Sequence, residues 1–213
     1  MTEHVTGYKA TLWSGMPKKG RRRTPYSVGK VYSTKARLAL CTSGLHFCRQ
    51  LCFAYETYDA AFYTRVFAVE SHGEVCFGGN KLCTDRMKFV RELTPCEVLI
   101  QLAGDANDRY TARFASGKAM NILLSVISMD IEIKDLNTNI VETPREWDHL
   151  PVLYHARRRL QWAQAFNEYS EIPICRLAMH DCGITKPKLV ELVQALQQDP
   201  ILKTEDKENR NEN

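Results

Sequence analysis

Hydrophobic and polar residues alternate in short runs through the first part of the chain, which is the pattern of half-buried β-strands. The runs are rich in β-branched and aromatic residues. Two of them flank Gly78-Gly79-Asn80, residues that accept the positive φ of a tight hairpin turn. The pattern predicts a short helix at residues 50–61 and strands at residues 7–13, 36–41, 62–69, 74–77, 81–84 and 86–93.

Helical spacing replaces alternation from Thr94, where Thr94, Pro95 and Glu97 form a capping box. Residues 118–129 and 143–169 then carry an apolar face, and Pro151 breaks or kinks the second helix. The sequence therefore predicts an α+β protein. Its expected parts are a compact mixed-sheet domain at residues 1–100, a helical region at residues 101–202 and a disordered charged tail at residues 203–213.

A short unit near the C-terminus has its own pattern. Leu177 and Met179 alternate, Cys182 follows them, and Ile184 precedes an amphipathic helix. This arrangement resembles one unit of a ribonuclease-inhibitor-type leucine-rich repeat over residues 174–202, and it implies a strand followed by a helix. The alternative is a strand and helix docked on the rest of the protein, because a single repeat cannot bury its own face.

Charge is distributed unevenly. Residues 1–37 hold nine Lys and Arg against one acid, a net charge of +8, whereas the whole chain carries +4. Five of these cations crowd a loop with Gly and Pro: Lys18, Lys19, Arg21, Arg22 and Arg23. The loop is a candidate phosphate contact or nuclear-import signal, with a plain solvated loop as the alternative. Without a reading helix, nucleic-acid binding there would be independent of base sequence and weakened by salt.

The chain contains no run of about 18 apolar residues, and its N-terminus lacks the layout of a signal peptide. We therefore expect a soluble protein that is not secreted and does not enter a membrane. Its eight cysteines should then be reduced thiols.

Soft ligands for zinc cluster around Gly44: Cys41, His46, Cys48 and Cys52. Cys76 and Cys83 could approach them across the predicted hairpin. The spacing nevertheless lacks the closely paired ligands of a zinc knuckle, so we expect buried thiols, no metal and no cofactor. A reactive cysteine is the remaining alternative. We expect His46 to lie in the core and to donate to a backbone carbonyl rather than to act as a catalytic base.

Five motifs follow one another between residues 7 and 93. They are Gly7-Tyr8-Lys9, Val28-Gly29-Lys30-Val31-Tyr32, Cys41-x-x-Gly44-Leu45-His46-Phe47-Cys48, Phe67-Ala68-Val69-Glu70 with Gly73, and Val90-Arg91-Glu92-Leu93. Their order and spacing resemble an uncharacterised domain of phages, some bacteria and large DNA viruses. The resemblance implies a compact α+β domain and a viral origin, and it implies no reaction.

The succession of strand, turn, tyrosine-bearing helix and strand also resembles the core of ADP-ribosyltransferase-like domains. That resemblance implies a His or Arg on the first strand, an aromatic residue that stacks on the nicotinamide, and a late Glu that orients the ribose hydroxyls. The sequence offers Lys9 on the first strand and Glu70 or Glu92 as the late acid. A degenerate enzyme of this class is therefore the second alternative function.

The leading hypothesis is a non-enzymatic viral accessory or virion-associated protein that acts through contacts with host or viral proteins. Sequence-independent nucleic-acid binding is the first alternative. Apolar residues in the second half, among them Trp162 and Phe166, predict a homodimer. The expected location is the virion or host cytoplasm, or the nucleus through the basic loop. The candidate pocket residues are Tyr8, His46, Cys48 and Tyr55.

Overall fold

A computed structural model of the chain describes residues 4–12, 14, 15, 25–55, 61, 63–127, 152–200 and 202. The chain divides into two compact units. The first consists of Met1–Ala60 and Thr64–Ala119, and the second of Ala61–Tyr63 and Met120–Asn213.

The first unit is built on a sheet of seven described strands. In chain order they are β1 (Thr6–Thr11), β2 (Val31–Ser33), β3 (Leu45–Cys48), β4 (Arg65–Ser71), β5 (Val75–Gly78), β6 (Lys81–Thr84) and β7 (Arg86–Glu92). They stand in the order β2-β7-β4-β1-β3-β6-β5, and neighbouring strands run antiparallel. The predicted α+β class is confirmed. The sheet is antiparallel rather than mixed, because the long described helices follow the last strand and supply no crossover between parallel strands.

An aromatic core covers one face of the sheet. Phe67 and Val69 of β4 lie beside Phe89 of β7, and the ring of Tyr26 stacks on Phe89 with 4.2 Å between centroids. The remaining buried members of this cluster are Phe47, Leu82 and Met87. These residues alternate along their strands, so the predicted period of two reflects burial on this face.

Close approach of β1 to β3 requires glycine at position 7. A Cβ atom on Gly7 would lie 2.4 Å from the Cys48 carbonyl oxygen and 2.7 Å from the Phe47 ring. Both distances are too short for any side chain, so Gly7 sets how tightly these strands pack.

Among its described residues, three helices contribute to the first unit: α1 (Leu51–Ala54), α2 (Pro95–Asp105) and the first part of α3 (Arg109–Ile127). The predicted capping box of α2 is confirmed. The Glu97 amide donates to Thr94 Oγ1 at 3.3 Å, and the Thr94 amide donates to Glu97 Oε2 at 2.8 Å. Asp108 caps α3 in the same manner by accepting from the Tyr110 amide at 2.7 Å.

The short helix α1 receives its cap from a distant part of the chain. Gln50 at its N-cap position makes no capping hydrogen bond through its side chain. The Asp105 carboxylate at the end of α2 accepts from the Cys52 amide at 2.9 Å and also from the Leu51 amide. Gln101 donates to the second Asp105 oxygen at 3.1 Å. Asp105 is only 3% exposed, so these donors replace the water that the carboxylate has lost.

The second unit contains the end of α3 and, among its described residues, three further helices: α4 (Val152–Glu168), α5 (Pro173–Asp181) and α6 (Lys186–Gln197). Helices α4 and α6 pack together, and Trp162, Phe166 and Leu189 are fully buried. Arg159 Nε donates to the Val126 carbonyl at 2.7 Å and so satisfies an acceptor near the end of α3. In the part of the chain that the structure describes, no helix is long and apolar enough to cross a membrane.

The predicted strand at residues 36–41 is wrong. Apart from a single bridge between Ala39 and Ser43, this segment is a loop. A Cβ atom placed on Gly78 would lie 2.3 Å from the Leu40 side chain, and one placed on Gly44 would lie 3.0 Å from the Leu38 side chain. Leu40 and Leu38 therefore pack against these two glycines. The alternation of leucines thus reflects a loop folded over two glycines rather than a paired strand.

The predicted strand at residues 174–179, and with it the leucine-rich-repeat resemblance, is also wrong. The segment forms α5, with Pro173 at its first turn. Its buried residues are Ile174, Cys175, Ala178 and Met179, a helical spacing. The alternating pair that suggests a strand is Leu177 and Met179, and Leu177 is exposed in the helix. Pro173, which fixes φ for a helix start, favours the helical pattern. The predicted helical segment at 143–151 and the tail at 203–213 lie outside the described residues.

Replacement of Asp105 should separate its roles as acceptor and as charge. Asp105→Ala leaves two buried amides without their acceptor, and we expect a loss of about 2–3 kcal/mol in the free energy of unfolding, measured by urea denaturation. Burial raises the Asp105 pKa against the opposing effect of its hydrogen bonds, so ionisation is itself penalised in the fold. Asp105→Asn keeps an acceptor without the charge and should therefore lose less than half as much.

The matched control is Glu191→Ala, which removes an exposed carboxylate from α6 and should change stability by less than about 0.5 kcal/mol. Equal losses for Asp105→Ala and Asp105→Asn would contradict the capping role.

Candidate functional site

A groove of about 170 Å³ lies on the first unit where β1, β4 and β7 run side by side. We call it the β1–β4 groove. It is lined by Thr6, Gly7, Tyr8, Arg49, Ala68, Val69, Glu70 and Val90.

Strand register explains why these side chains meet. Tyr8 stands directly opposite Ala68, and Thr6 directly opposite Glu70. Residues opposite each other, or two apart on one strand, project from the same face, so all four share one face of the sheet. That face is the reverse of the one that carries Phe67 and its aromatic core.

Two irregularities of the sheet shape the groove. The pairing of β4 with β7 shifts register between Ala68 and Val69, so Val90 is an extra residue on β7 and lines the groove. On the other side, β1 is paired with β3 at a single position, Tyr8 with Cys48. The chain leaves β3 immediately afterwards at Arg49, whose amide donates to the Asn80 carbonyl at 3.1 Å.

The charged residues of the groove each have a neighbour. Glu70 Oε2 lies 3.5 Å from His72 Nε2, and the His72 ring lies 4.4 Å from that of His4. The Arg49 guanidinium lies over the ring of Phe77, 5.3 Å from its centroid. Arg49 is exposed, whereas Glu70 is half-buried. The lining therefore includes an exposed cationic residue, whose guanidinium rests on Phe77 outside the groove, and a more sheltered anion.

Tyr8 supplies a hydroxyl donor to the groove. Burial raises the pKa of its phenol; the nearby Asp105 carboxylate adds to this rise, and Arg91 opposes it. The phenol therefore stays protonated at neutral pH and acts as a hydrogen-bond donor rather than as a nucleophile. Together with the Thr6 hydroxyl it gives the groove two neutral polar groups.

The predicted pocket residues are only partly brought together. Tyr8 and Cys48 are directly opposite, and His46 is two residues along β3 on the same face. Of the four predicted residues, Tyr8 alone lines the β1–β4 groove. Tyr55 is fully buried at the end of α1. The sequence pattern thus indicates the correct strand but not the other groove residues.

The residues that sequence reasoning missed are Thr6 and Arg49. Thr6 precedes Tyr8 by two positions, so the period of two along β1 would have placed it beside Tyr8. Arg49 lines the groove because β3 ends one residue earlier, and no motif indicates where a strand of four residues ends.

His46 has a structural role in the turn before β3. The Cys41 amide donates to His46 Nε2 at 3.0 Å, so the ring acts as an acceptor and must be neutral. Burial lowers the pKa of His46, and the cations of Lys9 and Lys81 lower it further, whereas its hydrogen bonds with the backbone of Ala39 and Gly44 oppose the shift. Cys41 adopts a φ of 63°, which is unusual for a residue with a side chain, and the His46 bond helps hold it there.

The remaining cysteines of the central stretch are not activated. Burial and the neighbouring Asp105 carboxylate raise the pKa of the Cys52 thiol to about 12. Cys48 is buried. Within the described ranges, no group of three or more His, Cys, Asp and Glu side chains is arranged to hold a metal ion. The absence of a metal from this protein stays a prediction.

The residues of the ADP-ribosyltransferase hypothesis lie on different faces of the sheet. Lys9 and Glu92 both stand opposite Phe67, and Glu70 lies three residues further along β4, on the reverse face. Lys9 Nζ donates to the His46 carbonyl at 2.6 Å. Glu92 is paired with Arg65 at 2.6 Å. The cation and the acids therefore do not converge on one site.

The basic loop predicted to bind nucleic acid, Lys18 to Arg23, lies outside the described residues, and its function stays a prediction.

A comparison with known families matches part of the chain but gives no function. Residues 5–101 match the family described as "Domain of unknown function (DUF7666)". This range holds every strand of the sheet and most of α2. No curated protein matches the chain, and no solved structure matches it. The expected resemblance to an uncharacterised domain is therefore confirmed over residues 5–101.

The role of His46 predicts a specific dependence of stability on pH. Because the folded state lowers the His46 pKa below 6.5, the unfolded chain takes up the proton first as the pH falls. The contribution of His46 is therefore complete above that pH and is lost progressively below it. Urea denaturation at pH 7.5 and 5.5 should show a smaller pH-dependent loss in His46→Gln, which keeps an acceptor that does not titrate, than in the unmodified protein.

A histidine NMR titration gives a second measurement on the unmodified protein. We expect the His46 ring to titrate below pH 6.5. A midpoint at or above that value, or an unchanged pH dependence in His46→Gln, would contradict the assigned role.

Proposed function

We propose that the first unit is a non-enzymatic protein-binding module whose β1–β4 groove receives the carboxamide of an Asn or Gln side chain from a partner polypeptide. The observation that carries the proposal is the combination of a small groove with an accessible cation, a sheltered anion and two hydroxyls.

The size of the groove argues for a group of a few heavy atoms. Small-molecule and cofactor sites usually occupy about 300–1,000 Å³. The β1–β4 groove, at about 170 Å³, is smaller than that range. It compares instead with cavities of about 150 Å³ that hold one benzene molecule. A single side chain of a partner fits this space, and a dinucleotide does not.

The charges of the groove favour a neutral group with both a donor and an acceptor. A carboxylate would meet Glu70, and an ammonium would meet Arg49, so either ion faces one like charge. A carboxamide offers its oxygen to the Tyr8 hydroxyl, or to Arg49 when its guanidinium leaves the Phe77 ring, and its N–H groups to Glu70. The apolar side chains of Ala68 and Val90 can contact the methylene groups that precede the amide.

The chemistry of the first unit supports binding rather than catalysis. The Tyr8 phenol and the Cys52 thiol both have raised pKa values, and the His46 ring already accepts a backbone amide. A general base needs a substrate proton within hydrogen-bond reach, and a nucleophile needs such a base beside it. Among the described residues that line the groove there is no His and no Cys side chain.

The proposal includes a viral accessory or virion-associated role, supported by the resemblance of the motifs in residues 7–93 to a domain of phages and large DNA viruses. The proposed location, in the virion or in the host cell, follows from that role. The homodimer is less well motivated, because Trp162 and Phe166, which prompted it, are buried within one chain.

Selection from a random peptide library displayed against the full chain tests the groove. We expect the selected peptides to share an Asn or Gln, and replacement of that residue by Ala should weaken binding by about tenfold or more, because hydrogen bonds to charged groups are lost. Glu70→Gln and Arg49→Gln should each weaken binding comparably, and Thr6→Trp should abolish it by filling the groove.

Glu191→Gln, the same chemical change on the exposed face of α6, is the control and should leave affinity unchanged. Thermal unfolding of each variant confirms that it is folded. Peptides without a shared amide residue, or peptides that bind Thr6→Trp as well as the unmodified protein, would refute the proposal.

The alternative of an ADP-ribosyltransferase gives a separate prediction. Since Lys9 and Glu70 lie on opposite faces and Glu92 is bound by Arg65, incubation with NAD should release no nicotinamide above the buffer blank, as followed by chromatography. Turnover that disappears in Glu70→Gln or Glu92→Gln would reinstate the enzyme hypothesis.

A further inference from the structure

Two cysteines face each other across the β5–β6 hairpin. Cys76 of β5 stands directly opposite Cys83 of β6. Directly opposite residues of an antiparallel pair have Cα atoms about 4.5–5.5 Å apart. Disulfides span Cα distances of roughly 4.4–6.8 Å, so the separation of directly opposite residues falls within the range that a disulfide bridges.

The two thiols are already in contact. They form a hydrogen bond with each other. Burial raises the pKa of the Cys83 thiol, and the neighbouring Cys76 thiol raises it further. The sulfur atoms are therefore neighbours in the reduced state. Because its pKa is raised, Cys83 by itself is a poor nucleophile toward a reagent from solvent.

Accessibility differs between the partners. Cys83 is fully buried, and the turn at Gly44 covers it, since a Cβ on Gly44 would lie 3.2 Å from Cys83 Cβ. Cys76 is half-buried on β5, which is the edge strand of the sheet. A reagent from solvent therefore reaches Cys76 before Cys83. The exposed Cys41 is a second cysteine near Cys83 and also raises its pKa, but Cys76 is the one that stands directly opposite Cys83 and forms a hydrogen bond with it.

We propose that Cys76 and Cys83 are a thiol modification site that is oxidised reversibly to a cross-strand disulfide by low-molecular-weight disulfides such as glutathione disulfide. This site is independent of the β1–β4 groove and of its proposed function.

The reaction proceeds by two exchanges. The Cys76 thiolate attacks one sulfur of glutathione disulfide, the disulfide bond breaks, and one glutathione thiolate leaves. The Cys83 thiol then loses its proton to solvent, and its sulfur attacks the Cys76 sulfur of the mixed disulfide. A second glutathione thiolate leaves. The protein loses two electrons and two protons, and glutathione disulfide becomes two molecules of glutathione.

Peptide mass mapping of the full chain tests the site. The reduced protein is incubated with glutathione disulfide, quenched with acid, alkylated and digested. We expect a linked Cys76–Cys83 peptide to accumulate about tenfold or more faster than any adduct on Cys96, a half-buried cysteine of α2, and dithiothreitol should reverse the link.

Two variants identify the order of the exchanges. Cys83→Ser should stop the reaction at a mixed disulfide between Cys76 and glutathione, and Cys76→Ser should give neither product. Cys96→Ser, the control, should still form the link. The Cys76–Cys83 link is also measured in the unmodified protein, so the proposal can be tested even if a variant fails to fold. Recovery of Cys76 and Cys83 as alkylated free thiols while other cysteines react would overturn the proposal.

Discussion

The anchoring of α1 by the Asp105 carboxylate is the interaction on which the geometry of the first unit depends. It joins the end of α2 to the start of α1 and thereby fixes the chain that follows β3. Burial raises the pKa of Tyr8 and that of Cys52, and the same carboxylate adds to both rises, so both potential nucleophiles stay protonated. A buried acid would be costly if it were not satisfied by amide and side-chain donors, and here Leu51, Cys52 and Gln101 supply them. Structure and chemistry are therefore coupled through a single residue.

The β1–β4 groove follows from the same architecture. The close packing at Gly7 holds β1 against β3, and the register shift on β7 brings Val90 to the groove. Tyr8 keeps its proton, Glu70 is sheltered beside His72, and Arg49 remains accessible. A site with donors, an acceptor and little volume is suited to recognising a small polar group, and the groove residues provide no activated nucleophile. The Cys76–Cys83 pair lies in the β5–β6 hairpin, apart from the groove residues, so the two proposals can fail separately.

Much of the fold could be predicted from local patterns. The hairpin at Gly79, the capping box at Thr94 and the strand that includes Tyr8 depend on short-range chemistry, and all three are confirmed. The errors arose where alternation has another cause. Leu38 and Leu40 alternate because a loop covers two glycines, and Leu177 and Met179 alternate on a helix that Pro173 starts. Of the groove, the sequence could yield Tyr8 and, through the period of two along β1, Thr6. Arg49 and Glu70 join them through the end of a strand and through pairing register, which are tertiary properties.

The central claim is that the groove recognises a carboxamide. NMR titration of the full chain with N-acetylglutamine amide tests it most directly, with N-acetylglutamate amide as the matched acid. We predict that the glutamine compound shifts the backbone amides of Thr6, Ala68 and Glu70 in a saturable manner, and that the glutamate compound shifts them far less because it meets the Glu70 carboxylate. Shifts confined to other parts of the chain, or equal shifts with both compounds, would contradict the account.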